Sequence, residues 1–364
     1  MKKLILFPLI VLLAISMVLG SCGEPEETTV PTTAPTTAPT TAPTTAPEPI
    51  VWNGTTMYPA AVPFTQAVEW WAEEMEARTN GQFKLVIHYG QTLSPMPENL
   101  DGIKAGLFEM AILIAGYHPA KTPLMTGYEL PFVSPAPNKQ LLMFHIEGLK
   151  HPAIVEELEA WDAVGLFPIL MPIFELGSNR PIRTVDDLDG FELNIAGGLG
   201  KVLEPFGAVP IDVPFPEIYS ALDKGVIEGT TGSWPLVFGA FGFYEQCDYL
   251  YTGLEIGTIY CPVVFKKSAW DALPENVKAV HEELMLEYVD KQMEIWDGIE
   301  DEWMPIMQAA CNVSTFPPAE RAKMIPYAEM SMDEWVEEME AKGLPGREVM
   351  DFIISSKDEV ESKY

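Results

Sequence analysis

The sequence predicts an α/β protein built as two lobes and tied together by one long helix. Strand and helix patterns alternate through residues 64–114, alternate again through 183–226, and are followed by a single apolar stripe from Val277 to Trp303. Alternation of this kind gives parallel sheets covered by helices. Two such blocks between Ile50 and Tyr364 provide enough chain for one large domain or two lobes.

The N-terminus reads differently. Lys2 and Lys3 precede an apolar run from Leu4 to Val18, and Leu19-Gly20-Ser21-Cys22 follows. This is the pattern of a cleavable export signal, and the run is shorter than the roughly 20 residues a spanning helix needs. Leu-Gly-Ser-Cys resembles the bacterial lipobox. That resemblance implies a lipoprotein signal peptide over residues 1–21, acylation of Cys22, and an extracytoplasmic protein anchored by lipid to the outer face of the membrane, in a periplasm or at the cell surface. Residues 22–49 contain TTAP four times from Thr32 to Pro47. With regular prolines and no large apolar side chains, the segment is expected to be an extended polyproline II spacer, reaching up to roughly 80 Å.

Beyond the spacer the chain reads as globular, with 48% apolar and 10% aromatic residues overall. A formal charge of −31 excludes nucleic acid and anionic membrane surfaces as partners. Cys247, Cys261 and Cys311 are an odd set without CxxC spacing, so no zinc ribbon is implied, and a Cys247–Cys261 pairing stays open.

Phe64, Val68, Trp71 and Met75 recur at helical spacing up to a stop at Thr79-Asn80-Gly81, and Phe83, Leu85 and Ile87 alternate as a strand. Pro97 opens a helix with Leu100, Ile103 and Leu107 on one face, before the buried strand Met110–Ile114. After Arg183, Asp189-Gly190 turns into a strand over 191–195. Gly197-Gly198-Leu199-Gly200 leads into a helix over 201–206, and 209–213 returns as a strand. Pro216 starts a helix facing inward with Ile218, Leu222 and Val226, and a third strand over 258–265 runs into Ser268-Ala-Trp-Asp271, which resembles a capping box. The stripe of Val277, Val280, Leu284, Tyr288, Ile295, Ile299 and Trp303 predicts a helix laid across both lobes and ending at Pro305.

Several blocks also stand in a familiar order. EMEARTNG, HYGQTLSP, NLDGIKAGLFEMA and ELPF, then RPIRTVDDLDGFELNI, FGAVPIDVPFPEIYSALDKGVIEG and VVFKKSAWDALPENVKAV, resemble the DctP-like periplasmic solute receptors of tripartite ATP-independent (TRAP) transporters. The resemblance covers most of residues 50–310. It implies a two-lobed periplasmic-binding-protein-like fold with crossing strands and a long lobe-spanning helix. Residues 50–172 and 258–316 would form the first lobe and that helix, and 173–257 the second lobe. Residues 317–364 would add a helical segment, with Met330, Trp335, Val336 and Met339 at helical spacing, that braces the lobes or mediates association. It further implies a small solute in the cleft, hinge closure on binding, and TRAP-type permease subunits that read the closed form.

Many of these receptors carry an arginine on the strand after the Asp-Leu-x-Gly turn, forking onto a substrate carboxylate. Here Asn194 occupies that position. No arginine lies between Arg183 and Arg321, and Arg180 and Arg183 sit in the RPIR block, where the family's basic residues look structural. Thr230, Thr231 and Trp234, with Asn194, would suit a neutral polyol-like solute or a cation over the indole. Trp234 packed as a wedge under the hinge is the competing reading. Glu175 on the lobe-crossing segment would repel an acid unless a metal ion bridged the two. Tyr117 and Asn53 follow strands where open sheets present loops to ligands, and Phe215 offers an apolar wall. No cofactor is expected beyond such a bridging ion.

Enzyme signatures are missing. There is no G-x-S-x-G, His281-Glu282-Glu283-Leu284-Met285 lacks the second histidine of H-E-x-x-H, and Leu203 stands where a dinucleotide turn needs its third glycine. Val185 takes the first ligand position of the EF-hand-like Asp187-x-Asp189-Gly190. A ligand-sensing receptor for a signalling partner and a secreted hydrolase on a binding fold are the alternatives.

Overall fold

The computed structural model describes residues 48–60, 62–195 and 197–364. The expected signal peptide, Cys22 and the TTAP repeats lie outside the described residues. The first half contains β1 (Ile50–Thr55), α1 (Pro63–Arg78), β2 (Phe83–His88), α2 (Asn99–Ala105), β3 (Met110–Ile112), α3 (Asn138–Gly148), α4 (Pro152–Glu159) and β4 (Ala163–Ile169). Next come β5 (Phe174–Ser178), β6 (Glu192–Asn194), β7 (Val209–Pro210), α5 (Ile218–Asp223), β8 (Gly229–Ser233) and β9 (Tyr249–Thr252). The chain closes with β10 (Cys261–Lys266), α6 (Lys267–Asp271), α7 (Glu275–Ala310), β11 (Asn312–Thr315), α8 (Pro318–Arg321), α9 (Ile325–Ala341) and α10 (Gly346–Lys363).

Two sheets result. The first has the order β2-β1-β3-β10-β4 and the second β11-β9-β5-β8-β6-β7. In the first, β1 is parallel to β2 and β3, while β10 runs against both β3 and β4. In the second, β5 runs against β8 and β9, and the remaining pairs are parallel.

Two extended segments cross between the sheets, from β4 to β5 and back from β9 to β10, before α7 carries the chain over a third time to β11. The two extended crossings lie side by side, pinned where Phe174 N donates to Gly257 O at 2.7 Å and Ile256 N to Phe174 O at 3.1 Å. Gly257 has a φ of +147°, and a Cβ there would sit 2.4 Å from Leu199 Cδ2, so both backbone conformation and space demand glycine.

Helix α7, 36 residues long and about 54 Å at 1.5 Å per residue, touches both halves. Trp71 Nε1 of α1 donates to His281 Nδ1 at 3.2 Å, and near the other end Met307 is buried in a second apolar cluster with Trp234, Phe238 and Cys247. The gap in the predicted stripe between Tyr288 and Ile295 is filled by Gln292, which is fully buried. Its amide donates to Pro168 O at 3.1 Å and accepts from Leu170 N at 3.2 Å. It thereby fixes the start of the first crossing, a task no apolar side chain can do.

The C-terminal helices act as a brace. Trp335 Nε1 of α9 donates to Thr126 Oγ1 at 2.9 Å on the first-sheet side, and Glu334 pairs with Lys201 at 2.7 Å on the second-sheet side.

Local departures from expectation have local causes. The helix predicted to end at Pro305 runs on to Ala310, because a proline removes one N–H while buried Met307 holds the last turns. Leu107 and Val226 are 70% and 52% exposed, since both lie just past the ends of short helices. Met330 is exposed as well. Residues 197–206 form two 3-10 turns and no α-helix, and the strand over 209–213 shrinks to Val209–Pro210. Ser268 caps nothing, because its hydroxyl donates to Asp162 Oδ2 at 2.7 Å. Residues 312–315, expected with the first lobe, pair with β9 in the second sheet.

Candidate functional site: the rims of the two sheets

Strand directions locate the site. β4 leaves the first sheet at its C-terminal end, and β1, β2 and β3 run the same way. β5 enters the second sheet from the crossings, so the antiparallel β8 and β9, and with them β6 and β7, end on the crossing side. The C-terminal ends of parallel strands from both sheets therefore converge on the space beside the crossings, which is where open α/β sheets bind ligands.

On the first rim stand Thr55 at the end of β1, Tyr58 just past it, and Gly116-Tyr117 after β3. Glu129, from a 3-10 segment folded beneath them, accepts from Tyr260 N at 2.9 Å and from Gly116 N. Burial raises its carboxyl to about 7 against the pull of these two donors. No side chain fits at 116, where a Cβ would approach Glu129 Oε2 to 2.6 Å. Tyr58 is buried, and its phenol is pushed up by that burial first, then by nearby Cys261, Tyr117 and Glu129. Thr55 Oγ1 is buried without a hydrogen-bond partner.

On the second rim Asn194 does structural work. Its amide donates to Ile211 O and Val213 O, both at 3.2 Å, and its Oδ1 accepts from Thr230 Oγ1 at 3.4 Å. Both of its donors are spent on holding the loop after β7, and that loop presents Asp212 to solvent. Tyr117, 45% exposed, faces it across the gap: burial raises the phenol's pKa first, and the Asp212 and Glu129 carboxylates raise it further. Asn194→Ala should therefore loosen residues 211–213 and cost about 2 kcal/mol in chemical denaturation, one unsatisfied carbonyl contributing on the order of 1 kcal/mol.

The other sequence candidates scatter. Glu175 is buried and accepts from Gly253 N, Leu254 N and Glu255 N at 2.8, 2.8 and 3.0 Å, so it ties one crossing to the other. Trp234 is 6% exposed and donates to Tyr251 O at 3.0 Å. Thr231 Oγ1 and Ser233 Oγ, alternate residues on β8, are buried without partners. Asn53 lies within β1, its Oδ1 3.0 Å from His88 Nε2. Phe215 stacks edge-on against Phe241 at 5.2 Å. The structure thus brings Asn194, Thr230 and Tyr117 to the rims and sets Asn53 against His88 and Phe215 against Phe241. Among the described residues, no three His, Cys, Asp or Glu side chains converge as a metal-binding group.

Sequence reasoning passed over Tyr58, Glu129 and Asp212. Tyr58 and Asp212 carried a signal, since each stands just past a strand end. Glu129 carried none, because its position depends on a fold-back that no periodicity records.

Comparison with known proteins gives one family. The model described as bacterial extracellular solute-binding protein, family 7 (DctP) matches residues 54–339. A solute-binding protein of Chromohalobacter salexigens is 21% identical over 293 residues, covering 78% of this chain and 85% of its own. The C4-dicarboxylate-binding periplasmic protein DctP of Rhodobacter capsulatus is 26% identical over 248 residues, covering 67% and 73%. Among solved structures, a TRAP periplasmic solute-binding protein of Desulfovibrio salexigens in an open complex has a TM-score of 0.76 at 24% identity, over 87% of this chain and 97% of that one. One from a Sulfitobacter species with bound β-D-galacturonate has a TM-score of 0.70 at 18% identity, over 84% and 99%.

Proposed function

Since this chain belongs to the bacterial extracellular solute-binding proteins of family 7, the DctP-like receptors of TRAP transporters, we propose that it captures a neutral polyol-like or cationic solute between its two rims and passes it to a membrane permease. The family is one of periplasmic receptors and not of enzymes. The observation that carries the choice of solute is at Asn194, where an amide spent on Ile211 and Val213 stands in place of a carboxylate clamp and holds Asp212 toward the gap.

Four of the five arginines are engaged elsewhere. Arg78 pairs with Glu74 and Glu287, Arg180 with Glu228, Arg321 with Glu255 and Arg347 with Asp333. An acid entering beside Asp212 would meet like charge, and Glu129, its carboxyl raised to about 7 by burial, would add to the repulsion once ionised. The dicarboxylate receptor of Rhodobacter and the uronate-bound Sulfitobacter protein would then differ from this chain in their ligand's charge. An acid would bind here only through a bridging metal ion.

A thermal-shift panel tests this reading, because a ligand at 100 times its Kd stabilises by about 2.7 kcal/mol. Polyols or small cations should raise Tm, while mono- and dicarboxylates in the presence of a chelator should not. Metal-independent stabilisation by simple acids would overturn the assignment. The resemblance of residues 19–22 to a lipobox further supports a lipid anchor at Cys22, with the TTAP spacer keeping the receptor near its permease. Cys22→Ser should abolish incorporation of labelled fatty acid, and unchanged labelling would refute the anchor.

A further inference from the structure

We propose that Cys247 and Cys311 are a disulfide pair, closed after export, that fastens the end of α7 to the second sheet. Both thiols are free in the structure, and their backbones are neighbours. β11 begins at Asn312, whose N donates to Asp248 O at 2.9 Å and whose register partner is Tyr249. This sets Cys311 beside Asp248, one residue from Cys247. With strands about 4.8 Å apart and a rise of about 3.3 Å per residue, the two Cα atoms stand about 6 Å apart, inside the span that disulfides bridge.

Both side chains reach one apolar cluster. Cys247 is buried within the second apolar cluster and Cys311 packs against the same cluster. Tyr244 O joins them, accepting from Cys247 N at 3.3 Å and from Cys311 Sγ at 3.3 Å. Cys261 is no rival, because it opens β10 in the first sheet and is fully buried.

The chemistry needs a disulfide oxidant, such as oxidised glutathione or an enzyme-borne disulfide. The half-buried Cys311, as thiolate, attacks one sulfur of the oxidant and expels the other as a thiolate. Cys247, having lost its proton, then attacks Cys311 Sγ and expels the second. Two protein thiols are oxidised, one disulfide is reduced to two thiols, and the two protons pass to the departing thiolates. Burial raises the Cys247 thiol to about 12, with Cys311 and Asp248 adding to the effect. Closure should therefore be slow near neutrality and faster as pH rises.

The test uses the full-length exported protein, alkylated under denaturing conditions without reductant and mapped by mass spectrometry. A linked Cys247–Cys311 peptide pair, lighter by two hydrogens, is expected, with Cys261 alkylated. Reduction should lower Tm by on the order of 5 °C, and Cys311→Ser, at the more exposed position, should show the lowered Tm with or without reductant. Alkylation of both Cys247 and Cys311, in exported protein and after equilibration with oxidised glutathione, would overturn the proposal, as would a link to Cys261. A bond whose reduction leaves Tm unchanged would overturn the fastening role.

Discussion

Glu175→Ala should destabilise the protein by on the order of 3–4 kcal/mol, the largest loss expected at any charged position. The carboxylate is the acceptor for the N–H groups of Gly253, Leu254 and Glu255, and each donor left buried and unpaired costs about 1–3 kcal/mol. Because those three residues open the return crossing, the loss falls at the junction of the two sheets. Glu175→Gln tests the same contact through pH. Burial raises the folded carboxyl from 4.5 to about 7, outweighing its three donors. The folded state thus binds the proton more tightly, and wild-type stability falls as pH rises from 4.5 through 7, by up to about 3 kcal/mol. Glutamine does not titrate. Its stability relative to wild type should therefore rise between pH 5 and pH 8. Buried His145, His118 and His281, lowered to about 3, 4 and 4 by burial, act with the opposite sign, destabilising as pH falls below 6.5, but they are common to both proteins and cancel. Parallel curves would show that Glu175 titrates normally.

Trp234→Ala should cost about 3–5 kcal/mol in the ligand-free protein, the range for emptying a large aromatic site. The indole packs in the cluster of Val237, Phe238, Phe243 and Met307, and its N–H is committed to Tyr251 O. Chemical denaturation without ligand decides between the two readings of this residue. An unchanged midpoint together with lost binding would make the ring a ligand platform and remove it from the packing.

What the sequence made legible was periodic. The stop at Thr79-Asn80-Gly81, the alternation over 83–88 and the buried run 110–114 were readable because each rests on neighbours within a few residues. The long stripe was readable for the same reason, yet its gap at Gln292 hid a contact with the crossing strand. The rims were legible only in part. Asn194 could be seen to stand where an arginine was expected, but its partners lie 17 and 19 residues on, at Ile211 and Val213. Glu175 read as an unpaired charge because its three donors arrive 78 to 80 residues later. Long-range backbone donors leave no mark on composition or spacing, so buried acids are the residues whose roles a sequence reading most readily misassigns.

A crystal structure of the complex with the strongest solute from the thermal-shift panel is the most direct test of capture between the rims. The solute should lie between Tyr58, Tyr117 and Glu129 on one side and Asp212 on the other, with no carboxylate facing Asn194. A solute seated elsewhere, for example in the groove of about 500 Å³ between α9 and α10 lined by Asp333, Arg347 and Asp351, would contradict it.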